Sequence, residues 1–299
     1  MLVILYDEKV EFIYVLLFLF GTVIGSFLNV VVYRLGTGER MGNARSRCFS
    51  CGATLGFFEL IPIASFLFQK GKCRHCGSRI SWQYPIVEFI TGLVFLLTWL
   101  RFLQHESGIM NYEVWDGIAL LFLLVIFSLL IALSVYDFRH KIIPNQLVYP
   151  FVLLALFGIL IIENWNLIGN WKLPPLASLA FGGEIENSAP TGVIISHLFA
   201  GFAAFVFFGG LWFVSRGRWM GFGDAKLALG MGFLLGPLLT TLAGMLAFWI
   251  GAIVSVPIVF LRGGGMKTQI PFGPFLACAT FITWLCGNTM LAWYFSLFA

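Results

Sequence analysis

Residues 117–136 read GIALLFLLVIFSLLIALSVY, a run of 20 residues without a charge that ends one position before Asp137. A helix needs about 20 mostly apolar residues to cross the hydrocarbon core of a bilayer. The whole chain has the same character, because its 299 residues are 60% hydrophobic and 11% charged. A soluble domain carries about 25% charged residues. The run therefore predicts one membrane-spanning helix of a polytopic membrane protein.

Seven further apolar runs lie on either side of this segment. They cover residues 12–33, 85–103, 146–162, 191–214, 225–237, 238–260 and 271–295. We therefore expect an all-α membrane protein with about eight transmembrane helices. Only Gly236-Pro237 separates the sixth run from the seventh.

Lysine and arginine are distributed unevenly between the loops that such a layout creates. Fifteen of the 18 fall on one side of the membrane, in 34–84, 137–145, 215–224, 261–270 and Lys226 at a helix edge, and the other three are Lys9, Arg101 and Lys172. Cytoplasmic loops carry an excess of these residues, so the first set is predicted to be cytoplasmic and both termini external. The polar segment 163–190 is then an external loop. A net charge of +4, in short clusters, argues against a nucleic-acid partner.

The long cytoplasmic loop contains two Cys-x-x-Cys pairs. Cys48 and Cys51 are separated from Cys73 and Cys76 by 21 residues, a spacing close to that of four-cysteine zinc sites. Two such pairs supply the four thiolates of a tetrahedral shell and leave no open position for a catalytic water. The cytoplasm disfavours disulfides. We expect a structural zinc site at these four residues, and reduced or redox-labile cysteines are the alternative.

Two aspartates are predicted at the cytoplasmic ends of helices. Asp137 follows the uncharged run, and Asp224 opens the sixth run in the sequence GFGD, after Gly221 and Gly223. Ionisable groups at such positions are costly to bury and suggest function. Two adjacent carboxylates would share one proton, so that one activates water while the other polarises a peptide carbonyl. The two glycines would let a substrate backbone approach.

Each aspartate also has a simpler interpretation. Asp137 could pair with Arg139 or Lys141, and Asp224 could cap its helix. The same side, the same depth and the nearby glycines favour a catalytic pair over two unrelated structural residues.

These motifs together resemble the bifunctional type IV prepilin peptidase family, a group of membrane aspartyl proteases with a GxGD motif. The resemblance rests on Gly25–Leu35 (GSFLNVVVYRL), the cysteine segments, Ile80–Glu88 (ISWQYPIVE), the two aspartate motifs and Ile270–Ala277 (IPFGPFLA). It implies cleavage of the leader of membrane-anchored pilin or pseudopilin precursors at the cytoplasmic face of the bacterial inner membrane. It also implies N-methylation of the new terminus with S-adenosylmethionine. In this family the aspartates carry proteolysis and the cysteine module goes with methyl transfer.

The resemblance divides the chain into a first transmembrane helix (1–33), a methyltransferase-associated zinc module (34–84) and a transmembrane peptidase domain (85–299). No glycine-rich nucleotide loop supports a methyl donor independently, so the residues that bind it are unknown. Precursor leaders are basic, which predicts an acidic contact, and Glu59 is our choice for it. A surface ion pair of the zinc module is the simpler interpretation of Glu59.

Two other functions fit part of this pattern. A presenilin-like intramembrane aspartyl protease shares the motifs around Asp137 and Asp224, but neither the four cysteines nor the absence of a Pro-Ala-Leu stretch fits it. A zinc-stabilised membrane scaffold without chemistry is the third possibility.

Overall fold

The computed structural model of the chain describes residues 8–37, 45–105, 114–162, 190–261 and 270–297. Within these ranges the helices, numbered in chain order, are α1 Glu8–Arg34, α2 Ala64–Phe68, α3 Gln83–His105, α4 Val114–His140, α5 Asn145–Ile162, α6 Pro190–Ser215, α7 Phe222–Leu235, α8 Pro237–Leu261 and α9 Gly273–Ser296. Apart from Pro190, the predicted external loop 163–190 lies outside the described residues. The eight predicted apolar helices are present, and α2 is an additional short helix.

Six of the eight are long and apolar enough to cross a membrane, namely α1, α3, α4, α6, α8 and α9. Helix α5 is a shorter apolar helix, and α7 has 14 residues. The predicted break between the sixth and seventh helices is confirmed. Gly236 ends α7 with a φ of 73°, a value that favours glycine, and Pro237 opens α8.

The chain folds as two compact units, Met1–Ala132 and Leu133–Ala299. In the first unit α1 packs closely along α3. The contact depends on small residues, because a Cβ added to Gly21 would lie 2.7 Å from Cα of Gly92. Buried Asn29 of α1 donates hydrogen bonds to the carbonyls of Gly25 and Tyr84, each at 3.3 Å. These contacts fix the two helices that enclose the cysteine segment in the sequence.

In the second unit α7 is the central helix and packs against α5, α6, α8 and α9. Its side chains are buried nearly all round, which explains why this short helix has no polar face. Gly230 accepts the ring of Phe151 from α5, and Gly232 lies against the backbone of Gly201 in α6. The surrounding helices therefore hold the first turn of α7, which carries Asp224, in a fixed place.

Helix α4 extends further than predicted. The apolar run ends at Tyr136, but the helix continues to His140 and stops before Lys141, whose φ is 56°. Asp137 therefore lies in the last turn of the helix, at the helix end where it was predicted. A helical backbone holds its side chain more rigidly than a loop would.

Candidate active site

Asp137 and Asp224 both lie in the second unit, and both are buried, with 5% and 6% of their surface exposed. The two carboxylates are near enough to interact electrostatically. The structure therefore brings together the two aspartates that the sequence singled out, one from the end of α4 and one from the start of α7.

Each carboxylate accepts one backbone hydrogen bond from a glycine. The N–H of Gly273, the first residue of α9, donates to Oδ2 of Asp137 at 3.1 Å. The N–H of Gly221 donates to Oδ2 of Asp224, also at 3.1 Å. In the second bond the side chain of Asp224 accepts the N–H of the residue that precedes the helix, as in a capping box. The predicted capping role of Asp224 therefore holds for Oδ2. Both bonds fix the direction in which a carboxylate points.

The other oxygen of Asp224 is different. Oδ1 is buried and accepts no hydrogen bond from the part of the chain that the structure describes. A buried carboxylate oxygen without a partner costs roughly 1–3 kcal/mol. Such an atom is a position at which a water molecule or a substrate group would be stabilised.

Ile143, in the turn between α4 and α5, lies against both aspartate segments. A Cβ added to Gly223 would be 2.6 Å from Cβ of Ile143, and one added to Gly273 would be 3.2 Å from its Cδ1. Gly223 is next to Asp224, and Gly273 is bonded to Asp137. Glycine at 223 is therefore explained by close packing on Ile143, whereas a Cβ on Gly221 would make only ordinary contacts, the nearest at 3.6 Å.

The roles of Gly273 and Ile143 were not predicted from the sequence. Both occur in segments that carry the family resemblance, but they are more than 100 residues apart in the chain. Only the folded contacts show that Gly273 orients Asp137. The contact of Lys226 was also not predicted. Its Nζ donates a hydrogen bond to Oδ1 of Asn145 at 2.8 Å, which joins the first turns of α5 and α7.

The four cysteines lie together in the first unit. Their Sγ atoms are all within 4.8 Å of one another, and those of Cys48 and Cys76 are 3.9 Å apart. Sulfurs around a tetrahedral zinc ion, at about 2.3 Å from the metal, are about 3.8 Å apart. The residues therefore fit a four-thiolate zinc ion, as the spacing of the cysteines predicted.

The two Cys-x-x-Cys segments have the same local structure. In each, the carbonyl of the first cysteine accepts a hydrogen bond at 2.9 Å from the N–H of the glycine four residues later, which is Gly52 or Gly77. Both glycines have a φ of 72°. The backbone N–H groups of Cys51 and Ser50 point at the Cys48 thiol and lower its pKa to about 6. This turn thus favours the thiolate form of Cys48, the form that a metal ligand requires.

Glu59 lies in this module, in a 3-10 turn formed by Phe57–Glu59. Its Oε2 accepts the N–H of Gly56 at 2.8 Å and lies 3.8 Å from Nε2 of His75. The ion-pair interpretation of Glu59 therefore has a partner in His75. Its role as a contact for the precursor stays a prediction.

Known proteins are similar to this chain over nearly its whole length. Residues 19–102 match the Bacterial Peptidase A24 N-terminal domain, and residues 124–256 match the Type IV leader peptidase family. No solved structure matches the chain.

Three curated relatives are each named prepilin leader peptidase/N-methyltransferase. The protein from Bacillus subtilis is 31% identical, over 94% of this chain and 98% of its own. That of Aeromonas salmonicida is 31% identical, over 94% of this chain and 93% of its own. That of Pseudomonas aeruginosa is 30% identical, over 92% and 91%.

Proposed function

This chain belongs to the type IV leader peptidase family, and on that basis we propose that Asp137 and Asp224 are the catalytic pair with which it cleaves prepilins. Prepilin cleavage and N-methylation are the activities of the family, and the protein is an integral membrane protein with several spanning helices. The presenilin-like and scaffold interpretations are set aside, because neither accounts for relatives of this name along the full chain.

The observation that carries the proposal is the buried, interacting pair of carboxylates. Two buried carboxyl groups that interact share a proton, since both cannot ionise cheaply in a buried site. The ionised group takes a proton from a water molecule, whose oxygen attacks the scissile carbonyl carbon. The protonated group donates to the carbonyl oxygen, and the amine leaves with a proton as the C–N bond breaks. Titration then belongs to the pair and not to one residue.

The backbone bonds from Gly273 and Gly221 support this chemistry by orienting the two carboxylates. Each of these bonds is made to the Oδ2 atom of its aspartate. The buried Oδ1 atom of Asp224 would then accept a hydrogen bond from the water molecule or from the substrate. Gly221 has space beside it and remains a proposed neighbour of the substrate backbone, whereas the space beside Gly223 is filled by Ile143. A substrate of extended conformation would pass along the start of α7.

We place the cleavage at the cytoplasmic face of the inner membrane. The support is the charge distribution, in which 15 of 18 basic residues fall in the loops and at the helix ends that are predicted to lie on one side. The substrates are membrane-anchored precursors of pilins or pseudopilins, whose leaders emerge on that side.

The zinc module is proposed to serve the methyl-transfer step. Cys48, Cys51, Cys73 and Cys76 would hold a structural zinc ion that supplies no chemistry beyond keeping the module folded. S-adenosylmethionine would supply the methyl group. The exposed rings of Phe57 and Phe58 are surfaces on which a sulfonium cation or an adenine ring can pack, so the module fits this donor.

The test is cleavage of a co-expressed prepilin by the Asp137→Asn and Asp224→Asn variants. Each should accumulate in the membrane like the wild type and leave the precursor uncut. Normal cleavage by either variant would remove that residue from the catalytic pair.

A further inference from the structure

Glu59 is a largely buried carboxylate in the described part of the zinc module. Its side chain is only 9% exposed, although it lies in a short turn of a small module. Oε2 is bonded to the N–H of Gly56, but Oε1 is buried and has no hydrogen-bond partner in the described part of the chain. A carboxylate with one buried and unbonded oxygen is costly unless a ligand supplies a donor.

The turn that carries Glu59 is held at both ends. At its start Oε2 of Glu59 binds back to Gly56 at 2.8 Å. Four residues after Glu59, Ile63 has a φ of 59°, a strained value for a β-branched residue, and buried Glu88 of α3 accepts its N–H at 2.7 Å. Backbone strain that the surroundings maintain is common at functional sites. The chain is thus anchored on both sides of Glu59.

The hydrogen bond that Glu59 already makes limits what could bind there. Arginine prefers to bind both oxygens of a carboxylate, and one of the two is already occupied. An ammonium group, by contrast, can bind to a single carboxylate oxygen. The residues directly before Glu59 are Phe57 and Phe58, which are 80% and 75% exposed. This exposed surface is next to the carboxylate in the chain, so the rings proposed to hold the methyl donor can also contact an apolar residue that bears the ammonium group.

We propose that Oε1 of Glu59 binds the free α-amine of the cleaved substrate for N-methylation, an inference that rests on the function proposed above. The amine reaches the module as an ammonium ion and must be neutral to react. Glu59 takes one N–H proton from it, which leaves the nitrogen with a free lone pair, and no other bond changes in this step. This assigns Glu59 to the mature end of the substrate instead of its basic leader.

The first experiment compares Glu59→Gln with His75→Gln in the full-length protein, with a co-expressed prepilin. Mass spectrometry of the product reports cleavage and methylation, and metal analysis reports zinc. Glu59→Gln should cleave normally and retain zinc, while the methylated fraction falls about tenfold or more, as expected for loss of a hydrogen bond between charged groups. His75→Gln should stay within about threefold of the wild type, because it leaves Oε1 unchanged.

The second experiment measures binding to the purified protein in detergent. The probe is a synthetic peptide with the mature N-terminal sequence, either with a free α-amine or Nα-acetylated. The free-amine peptide should bind the wild type about tenfold or more tightly than it binds Glu59→Gln. The acetylated peptide should bind the two proteins equally.

A third measurement does not depend on a variant that folds. A carbodiimide joins an amine to a carboxylate in contact with it, so the free-amine peptide should couple to Glu59 of the wild type. The acetylated peptide should not couple there. Coupling to other carboxylates only would overturn the proposal.

Three other results would also overturn it. Normal methylation by Glu59→Gln would show that the carboxylate is not needed. Equal loss of methylation and zinc in Glu59→Gln and His75→Gln would indicate a structural ion pair. A raised KM for cleavage in Glu59→Gln, with methylation of a pre-cleaved peptide intact, would indicate a contact for the leader. None of these outcomes bears on the proposed roles of Asp137 and Asp224. If those roles were wrong, the Asp137→Asn or Asp224→Asn variant would still cleave the precursor.

Discussion

Gly273 lies directly against Asp137, and the contact has two parts. Its N–H donates to Oδ2 of Asp137 at 3.1 Å, and a Cβ added at Gly273 would lie 2.6 Å from the same oxygen. The first residue of α9 therefore both orients the carboxylate at the end of α4 and must be small to do so. Gly273 therefore belongs to the proposed catalytic site, where its backbone N–H positions the carboxylate of Asp137.

Gly273→Ala should impair cleavage without unfolding the protein. The added methyl group would push the Asp137 carboxylate out of its hydrogen bond, and a displacement of about 1 Å can cost on the order of 100-fold in rate. We expect a 10- to 100-fold lower kcat for cleavage in a purified assay, with about the same KM. Gly244→Ala is the matched control, because a Cβ there meets no atom within 4 Å. Equal rates for the two variants would contradict the role given to Gly273.

Gly221 and Gly223 should respond differently to alanine. A Cβ at position 223 would lie 2.6 Å from Cβ of Ile143, an atom close to the backbone that cannot move away freely. Gly223→Ala should therefore lower stability by about 1–3 kcal/mol, the usual cost of overpacking, and displace Asp224. Thermal unfolding in detergent measures the first effect and the cleavage rate the second.

Gly221→Ala has room for its methyl group and a φ of −77°, which alanine adopts without strain. It should leave the unfolding temperature unchanged. A substrate backbone that approaches here, as proposed, would meet the methyl group, so the KM for the precursor should rise. An unchanged KM would argue that the substrate does not pass over Gly221.

The zinc module should be separable from proteolysis. Cys73, the buried member of the four, and Cys48 are the residues to replace by serine, which removes a thiolate ligand. We expect loss of zinc by metal analysis and a larger loss of methylation than of cleavage. Wild-type protein that contains no zinc, with all four thiols reduced, would show that the cluster has another purpose.

Much of this fold could be predicted from the sequence because membrane helices need long apolar runs. The predicted run 117–136 lies inside α4, and Gly236-Pro237 divides α7 from α8 as expected. The zinc shell was predictable for a similar reason, since two short turns with fixed spacing supply all four ligands. In both cases the information is local in the chain.

The remainder of the site could not be predicted, because it depends on contacts between distant segments. Nothing in the sequence near Asp137 indicates that Gly273 donates to it, or that Ile143 fills the space beside Gly223. The end of α4 was also misjudged by four residues. Hydropathy falls after Tyr136, but the helix continues through the charged residues to His140. Polarity marks where the membrane ends, and the helix ends where the backbone turns.

The central claim is that Asp137 and Asp224 together cleave prepilins, and mass spectrometry of a co-expressed prepilin tests it most directly. The wild type should give a shortened product with a methylated N-terminus. Asp137→Asn and Asp224→Asn each keep the size of the side chain but remove its ability to ionise, so each should reduce cleavage by about a thousandfold or more. The account predicts only full-length precursor in both variants. A shortened product at wild-type level in either one would contradict it.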